Sequence, residues 1–394
     1  MNICFYTSFE VSPTQGGTER ITFTVAKNLI EKYGWKCYSI YFVKARTESV
    51  PELFEDTALI NNPRNSYDKL LEILDKWKID ILINQGAFHL SPVFSDVLKK
   101  IDAKYVFCHH FEPGWELTFF TFRGVFEEWQ KKRSIKKLIK IGLFPWLKFR
   151  QRYTLPKDYA SSYRLADRVV LLSKRFIPQF MKYGGIKDDS KFGVIHNSLS
   201  FEYFYDPDKL CNKDKVVLIV SRMEDTQKKI SKALQIWNEI EKSNKFKDWK
   251  LILLGIGADL DSYKQYVRKH KLSQVSFRGL QAPEEYYRQA SIFMMTSKSE
   301  GWGLTLTEAQ QNGCIPIAFD TYASLHEIIT DGYNGFIIPK DDNSSYIAYL
   351  EMLMNDSNLR NQMAVSAIKS SHRFEQKVIA EQWYNFLLDI YDSK

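Results

Sequence analysis

The 394-residue sequence lacks most of what would mark an unusual environment. No run approaches the eighteen or so apolar residues that a membrane-spanning helix needs, and the opening MNICFYTS reads as a first strand rather than a signal peptide. A cytoplasmic location is the expectation. The five cysteines are odd in number and contain no Cys-x-x-Cys pair. Cys4, Cys37 and Cys108 fall in predicted strands, which favours buried reduced thiols over disulfides or a zinc site. Clusters with metal-ligand spacing are missing. Two Asp-x-Asp pairs do occur, Asp206-Pro-Asp208 and Asp259-Leu-Asp261, the first in a loop-rich stretch and the second where it is expected to cap a helix. Short repeats and low-complexity segments are absent as well, so neither a solenoid nor a disordered chain is indicated.

With 44% hydrophobic and 26% charged residues, the chain is an ordinary globular one, long enough for two domains. Predicted strands at 2–7, 37–43, 80–84, 104–108, 168–172 and 192–196 alternate with helical runs. A loop-rich stretch follows. The alternation restarts at 216–221, 250–255, 275–279, 292–297, 315–319 and 335–339. This rhythm predicts an α/β protein with two Rossmann-like, doubly wound domains at 1–197 and 215–372, joined by a linker at 198–214. The amphipathic run at 373–394 is expected to pack back toward the first domain. Ligands in such domains bind beyond the strand C-terminal ends, which in tandem domains would face each other across a cleft.

The net charge of +8 is modest but unevenly placed. Residues 131–152, KKRSIKKLIKIGLFPWLKFRQR, contain nine Lys or Arg and no acid, with apolar residues between them. Either a solvated helix face or attachment to an anionic membrane surface accounts for that pattern. Nucleic acid is a weaker third choice, because the remainder is nearly balanced and shows no nucleic-acid module.

Four motifs fall on loops after predicted strands. Gly16-Gly17 with Thr18-Glu19-Arg20 follows the first strand, where a tight turn would also explain the pair. Cys108-His109-His110 precedes a Pro-Gly turn and suggests a site wall. Ser221-Arg222 through Gln227-Lys228-Lys229 reads either as a charged surface turn or as a diphosphate clamp, Arg by its fork and Lys as a point charge. The fourth, SEGWGLTLTEAQQNGCIPI from Ser299, sets Glu300 and Glu308 eight positions apart across a glycine-rich turn. Thr305 and Glu308 fit a capping box for a helix running to about Asn312, with Gly313 as its stop. Glu300 escapes that explanation. It precedes Gly301-Trp302-Gly303, a turn able to present amides to an anion ahead of a helix start.

Together these motifs resemble the retaining glycosyltransferases of family four, bacterial surface-glycan enzymes with the GT-B fold. SKSEGWGLTLTEAQQNGCIPIAFD is similar to the family's Glu-x(7)-Glu signature, SRMEDTQKKI to its Arg…Lys phosphate clamp, and EIITDGYNGFIIP to the stretch that follows. QGGTER and CHH carry the first-domain likeness. The resemblance implies catalytic roles for Glu300 and His109, the latter favoured over His110 because it lies nearer the strand end. Donor contacts would come from Arg222, Lys228, Gly301, Trp302, Gly303, Leu304, Glu308 (on the ribose hydroxyls), Gly16 and Gly17. His110, Lys229 and Gly255 are further candidates, and Asn197 matches the Asn that opens the family's interdomain linker. Lys228 stands one residue further from Arg222 than in many members, and is favoured over Lys229 because it follows Gln227. The implied donor is a UDP-sugar or GDP-sugar, the acceptor a glycan or lipid-linked molecule, and neither cofactor nor metal is needed. A glycosidase, a phosphorylase-like enzyme and a nucleotide-sugar sensor stay open as rivals.

Overall fold

The strand-like runs form two separate sheets. A computed structural model describes residues 1–13, 16–45 and 52–393; Gln15 of the QGGTER motif and the side chains of Lys131 and Lys132 lie outside the described set. The first sheet holds β1 (Asn2–Phe9), β2 (Lys36–Val43), β3 (Asp56–Leu59), β4 (Ile81–Asn84), β5 (Lys104–His109), β6 (Arg168–Leu171) and β7 (Phe192–Val194). Its order is β3-β2-β1-β4-β5-β6-β7. The second holds β8 (Asp214–Val220), β9 (Lys250–Leu254), β10 (Val275–Gly279), β11 (Ala290–Met295), β12 (Ile315–Phe319) and β13 (Phe336–Ile338). Its order is β10-β9-β8-β11-β12-β13. All described pairings are parallel.

Continuous apolar runs such as Ile81–Ile83 and Ile315–Phe319 are wholly buried, as strands covered on both faces require. The most exposed strand is β3, whose Asp-Thr-Ala-Leu lies largely open to solvent. It pairs only with β2 at the sheet edge, which is why no apolar signal announced it.

The chain divides into two compact units, Met1–Ser198 with Gln376–Lys394, and Leu199–Glu375. Of residues 198–214, expected as a linker, all but Ser198 are packed into the second unit. Leu210 is buried in its core, and Gln311 Nε2 donates to the carbonyls of Phe201 (2.8 Å) and Tyr203 (3.1 Å). The final helix, Gln376–Asp392, packs on the helix Gly17–Tyr33 of the first unit, with Tyr384 stacked on Tyr33 at 3.9 Å. Cys4, Cys37, Cys108 and Cys314 are buried free thiols, and Cys211 is exposed.

The basic segment folds as helices Phe122–Lys132, Ile135–Gly142 and Phe144–Leu165. Its cations do not all face water. Lys148 Nζ donates to the carbonyls of Leu117 and Phe120, closing off the end of the short helix Trp115–Phe119. No helix among the described residues is long and apolar enough to cross a membrane.

Candidate active site

In an open parallel sheet, ligands bind where the strand order reverses, because neighbouring loops there splay to opposite faces. In the second unit that point lies between β8 and β11. The loop after β8 carries Arg222 and Lys228; the loop after β11 carries Glu300. Lys228 Nζ meets Glu300 Oε1 at 2.6 Å, and the two side chains are only 16% and 10% exposed. Arg222 is 69% exposed, its Nη2 donating to Gln227 Oε1 at 2.8 Å. Gln227 ties the loops together, donating from Nε2 to the Ser299 carbonyl (2.9 Å) and accepting at its own carbonyl from Lys298 N (2.7 Å). Lys229 points elsewhere, its ammonium 3.9 Å from Asp225. The geometry therefore brings Arg222, Lys228 and Glu300 to one place and leaves Lys229 out.

The helix beyond this pair spans Leu304–Gln311 and starts on Gly303, whose φ of 99° lies in the left-handed region that glycine adopts without strain. This start overturns the capping box. Thr305 is already inside the helix, no side chain caps it, and Glu308 turns the other way. Its carboxylate, 1% exposed, accepts from Ser200 Oγ (2.5 Å) and Tyr287 OH (2.9 Å). Neither partner was legible beforehand, one standing 108 and the other 21 residues away. The Trp302 ring packs edge-on against Phe374 and is 3% exposed. The indole is thus enclosed, which leaves only the backbone of Trp302 for the donor contact expected of it.

Gly255 shapes the Arg222 loop without belonging to it. A Cβ at Gly255 would lie 1.9 Å from the Ser221 carbonyl oxygen, and one at Gly257 would lie 2.3 Å from that of Met223. Only glycine permits this approach. Asp259 occupies the N-cap position of the helix Leu260–Lys269 without capping it; its carboxylate accepts from Asp225 N at 2.7 Å instead. Asp206 caps the turn at Pro207–Asn212 through Asp208 N. The first aspartate of each Asp-x-Asp pair therefore serves a backbone amide. Among the described residues, no group of three or more His, Cys, Asp or Glu is placed to hold a metal ion.

In the first unit, Gly16 sits at the N-cap of the helix Gly17–Tyr33. Glu19 folds back buried, its carboxyl raised by loss of solvent while backbone contacts at Glu19 and Phe9 pull the other way. His109 is 2% exposed and packs among Phe88, Tyr159 and Phe180 at centroid distances of 5.0, 5.6 and 5.8 Å. Burial, then the neighbouring His110, lowers its pKa to about 3. A ring so enclosed has little room for a substrate. His110 is the less covered of the two; its Nε2 bonds Gln85 Oε1, and burial lowers it to about 4. Both histidines are neutral at ordinary pH. Asn197 is buried beside them, lining a small cavity with Gln85 and both rings.

Two further groups went unread in the sequence. Tyr159 OH donates to Glu116 Oε2 (3.1 Å), accepts from Gly114 N (2.8 Å) and lies 3.4 Å from His109 Nε2. Burial raises the Glu116 carboxyl to about 7. Only folding brings these residues together, since Tyr159 lies 43 positions from Glu116.

Comparison with known proteins places this geometry. Residues 206–370 match the family model for glycosyl transferases group 1. The amylovoran biosynthesis glycosyltransferase AmsD of Erwinia amylovora is 27% identical over 232 residues, which cover 57% of this chain and 63% of that protein. A poly(glycerol-phosphate) alpha-glucosyltransferase of Bacillus subtilis is 26% identical over 168 residues, 42% of this chain and 24% of its own length. The chain thus spans less than two thirds of either relative. Anabaena HepE, solved in complex with UDP-glucose, superposes with a TM-score of 0.74 at 16% identity, covering 99% of this chain and 100% of its own. The lipopolysaccharide outer core galactosyltransferase WaaB gives 0.68 at 17% identity, covering 99% of each chain. At such identities the likeness is one of fold, the GT-B arrangement of two Rossmann-like domains. The region that matches the group 1 glycosyl transferases, 206–370, holds Arg222, Lys228, Glu300 and Glu308.

Proposed function

We propose that this chain is a retaining glycosyltransferase of family four that moves a hexose-type sugar from a UDP-sugar to a glycan or lipid-linked acceptor without a metal; GDP is the second choice of nucleotide. The observation that carries the reading is the largely buried Lys228–Glu300 pair beside the exposed Arg222 fork and the start of the helix Leu304–Gln311. In the reaction the bond from the anomeric carbon to the phosphate oxygen breaks and its electrons leave with the diphosphate. Arg222, Lys228 and the amides from Gly301 to Leu304 would stabilise that charge. A diphosphate arriving at Lys228 competes with Glu300 and frees a carboxylate beside the sugar, where positive charge grows. The acceptor hydroxyl attacks from the face the phosphate leaves, and its proton passes to the departing oxygen.

Glu308 would receive the ribose hydroxyls, since a carboxylate offers about four acceptor positions and two described hydroxyls bond it in the free protein. In the first unit the reading assigns Gly16 and Gly17 to donor amides and a histidine to the reacting sugar, with His110 now preferred over His109 on its exposure. The relatives named for surface polysaccharides support a bacterial glycan acceptor. A lipid-linked acceptor fits the basic segment, where Ile135, Trp146 and Phe149 are 78%, 54% and 71% exposed among Lys and Arg. Apolar groups would enter the interface of the cytoplasmic membrane while the cations meet lipid phosphate, each worth about 1 kcal/mol.

A panel of nucleotide sugars tests the reading. A true donor at a hundred times its dissociation constant stabilises the protein by about 2.7 kcal/mol, and nucleotide is released only when acceptor is present. Release without acceptor would indicate a hydrolase, and stabilisation without turnover a sensor. Activity lost to EDTA and restored by manganese would overturn the metal-free part.

A further inference from the structure

The second unit has another polar pocket, lined by Lys229, which points away from the donor groups, and by none of the residues that the proposed function gives to the donor. The core between its sheet and the helices Ile230–Lys242 and Asn343–Asn355 opens at the ends of β11, β12 and β13 into a space of about 400 Å³. That volume is in the range of small-molecule sites, roughly 300–1,000 Å³. Four lysines from three segments line it: Lys229 and Lys232 around the helix start, Lys298 after β11 and Lys340 after β13. Two of them are matched by acids. Lys232 bonds Asp341, and Lys229 lies 3.9 Å from Asp225. Asp225 is held in turn by Ser231 N and Oγ, both at 2.9 Å. Lys298 and Lys340 form no ion pair among the described residues, so the lining carries two cations in excess.

A phosphate monoester is nearly a dianion at neutral pH and would neutralise that excess, while an attached sugar would fill the remaining volume against Phe319 and the polar lining. We propose that this pocket binds a small phosphate monoester of sugar-phosphate size, separately from the nucleotide-sugar donor. The site is wired to the donor loop. Thr296 Oγ1 donates to the carbonyls of both Lys228 (3.1 Å) and Lys229 (3.0 Å), and Lys229 is held at a φ of 52°. A ligand drawing on Lys229 therefore acts on the residue next to the Lys228–Glu300 pair, and the two sites raise or lower each other's affinity by the same factor.

Calorimetric titration of the full chain with inorganic phosphate and with glucose 6-phosphate, at fixed ionic strength and with glucose as the uncharged control, tests this without any donor or turnover. The Arg222→Ala/Lys228→Ala variant should bind glucose 6-phosphate as the parent does. Lys298→Glu/Lys340→Glu should weaken it at least about tenfold, or 1.4 kcal/mol, with Lys298→Gln/Lys340→Gln intermediate and the thermal midpoint of both unchanged. Binding that survives the lysine substitutions but vanishes with Arg222 and Lys228 would place the anion in the donor site and overturn the proposal. Absence of binding to the parent protein would reduce the pocket to a solvated basic rim. Equal affinity for inorganic phosphate and glucose 6-phosphate would remove the sugar from the ligand, overturning that part.

Discussion

Beyond β8 and β11 of the second unit, the loops bring the exposed Arg222 and the largely buried Lys228 and Glu300 together; at the end of β5 of the first, His109 is buried among Phe88, Tyr159 and Phe180. Both units use the same winding, yet one gathers opposite charges at its strand ends while the other strips charge from its titratable rings. On the proposed function the difference separates two tasks: charges meant for a diphosphate are held in place before it arrives, whereas burial keeps the two histidine rings neutral.

The largest expected effect strikes the charged side. Glu300→Gln should lower turnover by about a hundredfold or more and leave UDP binding intact or tighter, because Lys228 loses its competitor. Steady-state rates with UDP titrations check it; unchanged turnover would remove Glu300 from the reaction. Next in size, Arg222→Ala and Lys228→Ala should each weaken UDP by about 1.5–3 kcal/mol while uridine binding barely changes, since each loses a charged hydrogen bond to phosphate. Equal losses for UDP and uridine would deny the clamp.

On the neutral side, Glu116 supplies a pH test. Its carboxyl rises from the ordinary 4.5 to about 7 on burial, so between those values the folded state holds a proton that the unfolded state has lost. Stability attached to this group is complete below pH 4.5, falls as the pH rises toward 7 and is gone above it. At about 1.4 kcal/mol per pH unit of that displacement, Glu116→Gln should recover up to about 3 kcal/mol at pH 8 and nothing at pH 4. Denaturant melts at the two pH values measure it, and equal effects at both would show that Glu116 ionises normally. Glu308→Ala should cost about 1–3 kcal/mol of stability by leaving the buried Tyr287 hydroxyl short of its acceptor, together with a loss of nucleotide affinity. A stability loss with normal affinity would confine Glu308 to holding Ser200 and Tyr287.

The smallest effect on the folded protein is expected in the basic segment. Replacing Lys132, Lys136, Lys137 and Lys140 by Glu should change stability by no more than about 0.5 kcal/mol, yet abolish sedimentation with anionic liposomes, and high salt should do so in part. Sedimentation equal to the parent's would return the segment to a solvated face.

Much of the fold was legible because strands buried on both faces leave apolar runs that need no partner to be seen, as at Ile81–Ile83. The polar edge strand β3 left none. Glu300, Arg222 and Lys228 were picked out by the likeness of their motifs to the family's, and folding brings them together after β8 and β11. Glu308 misled because a capping box is a local pattern, and the left-handed Gly303 had already started the helix two residues before Thr305. Ser200, Tyr287, Glu116 and Tyr159 were beyond reach for a single reason: each acquires its role from a neighbour that only the folded chain supplies.

Gly255 and Gly257 set a limit on how this protein can be altered. Neither contributes a functional group, yet any side chain at either position must drive out the backbone of Ser221 or Met223, on which Arg222 hangs. A library that varies every residue around the Arg222 loop would be emptied by these two codons alone. Variants kept glycine at 255 and 257 retain the loop's geometry while side chains elsewhere are exchanged, so the tolerated changes at the site are those that leave two hydrogen atoms where a carbon would be.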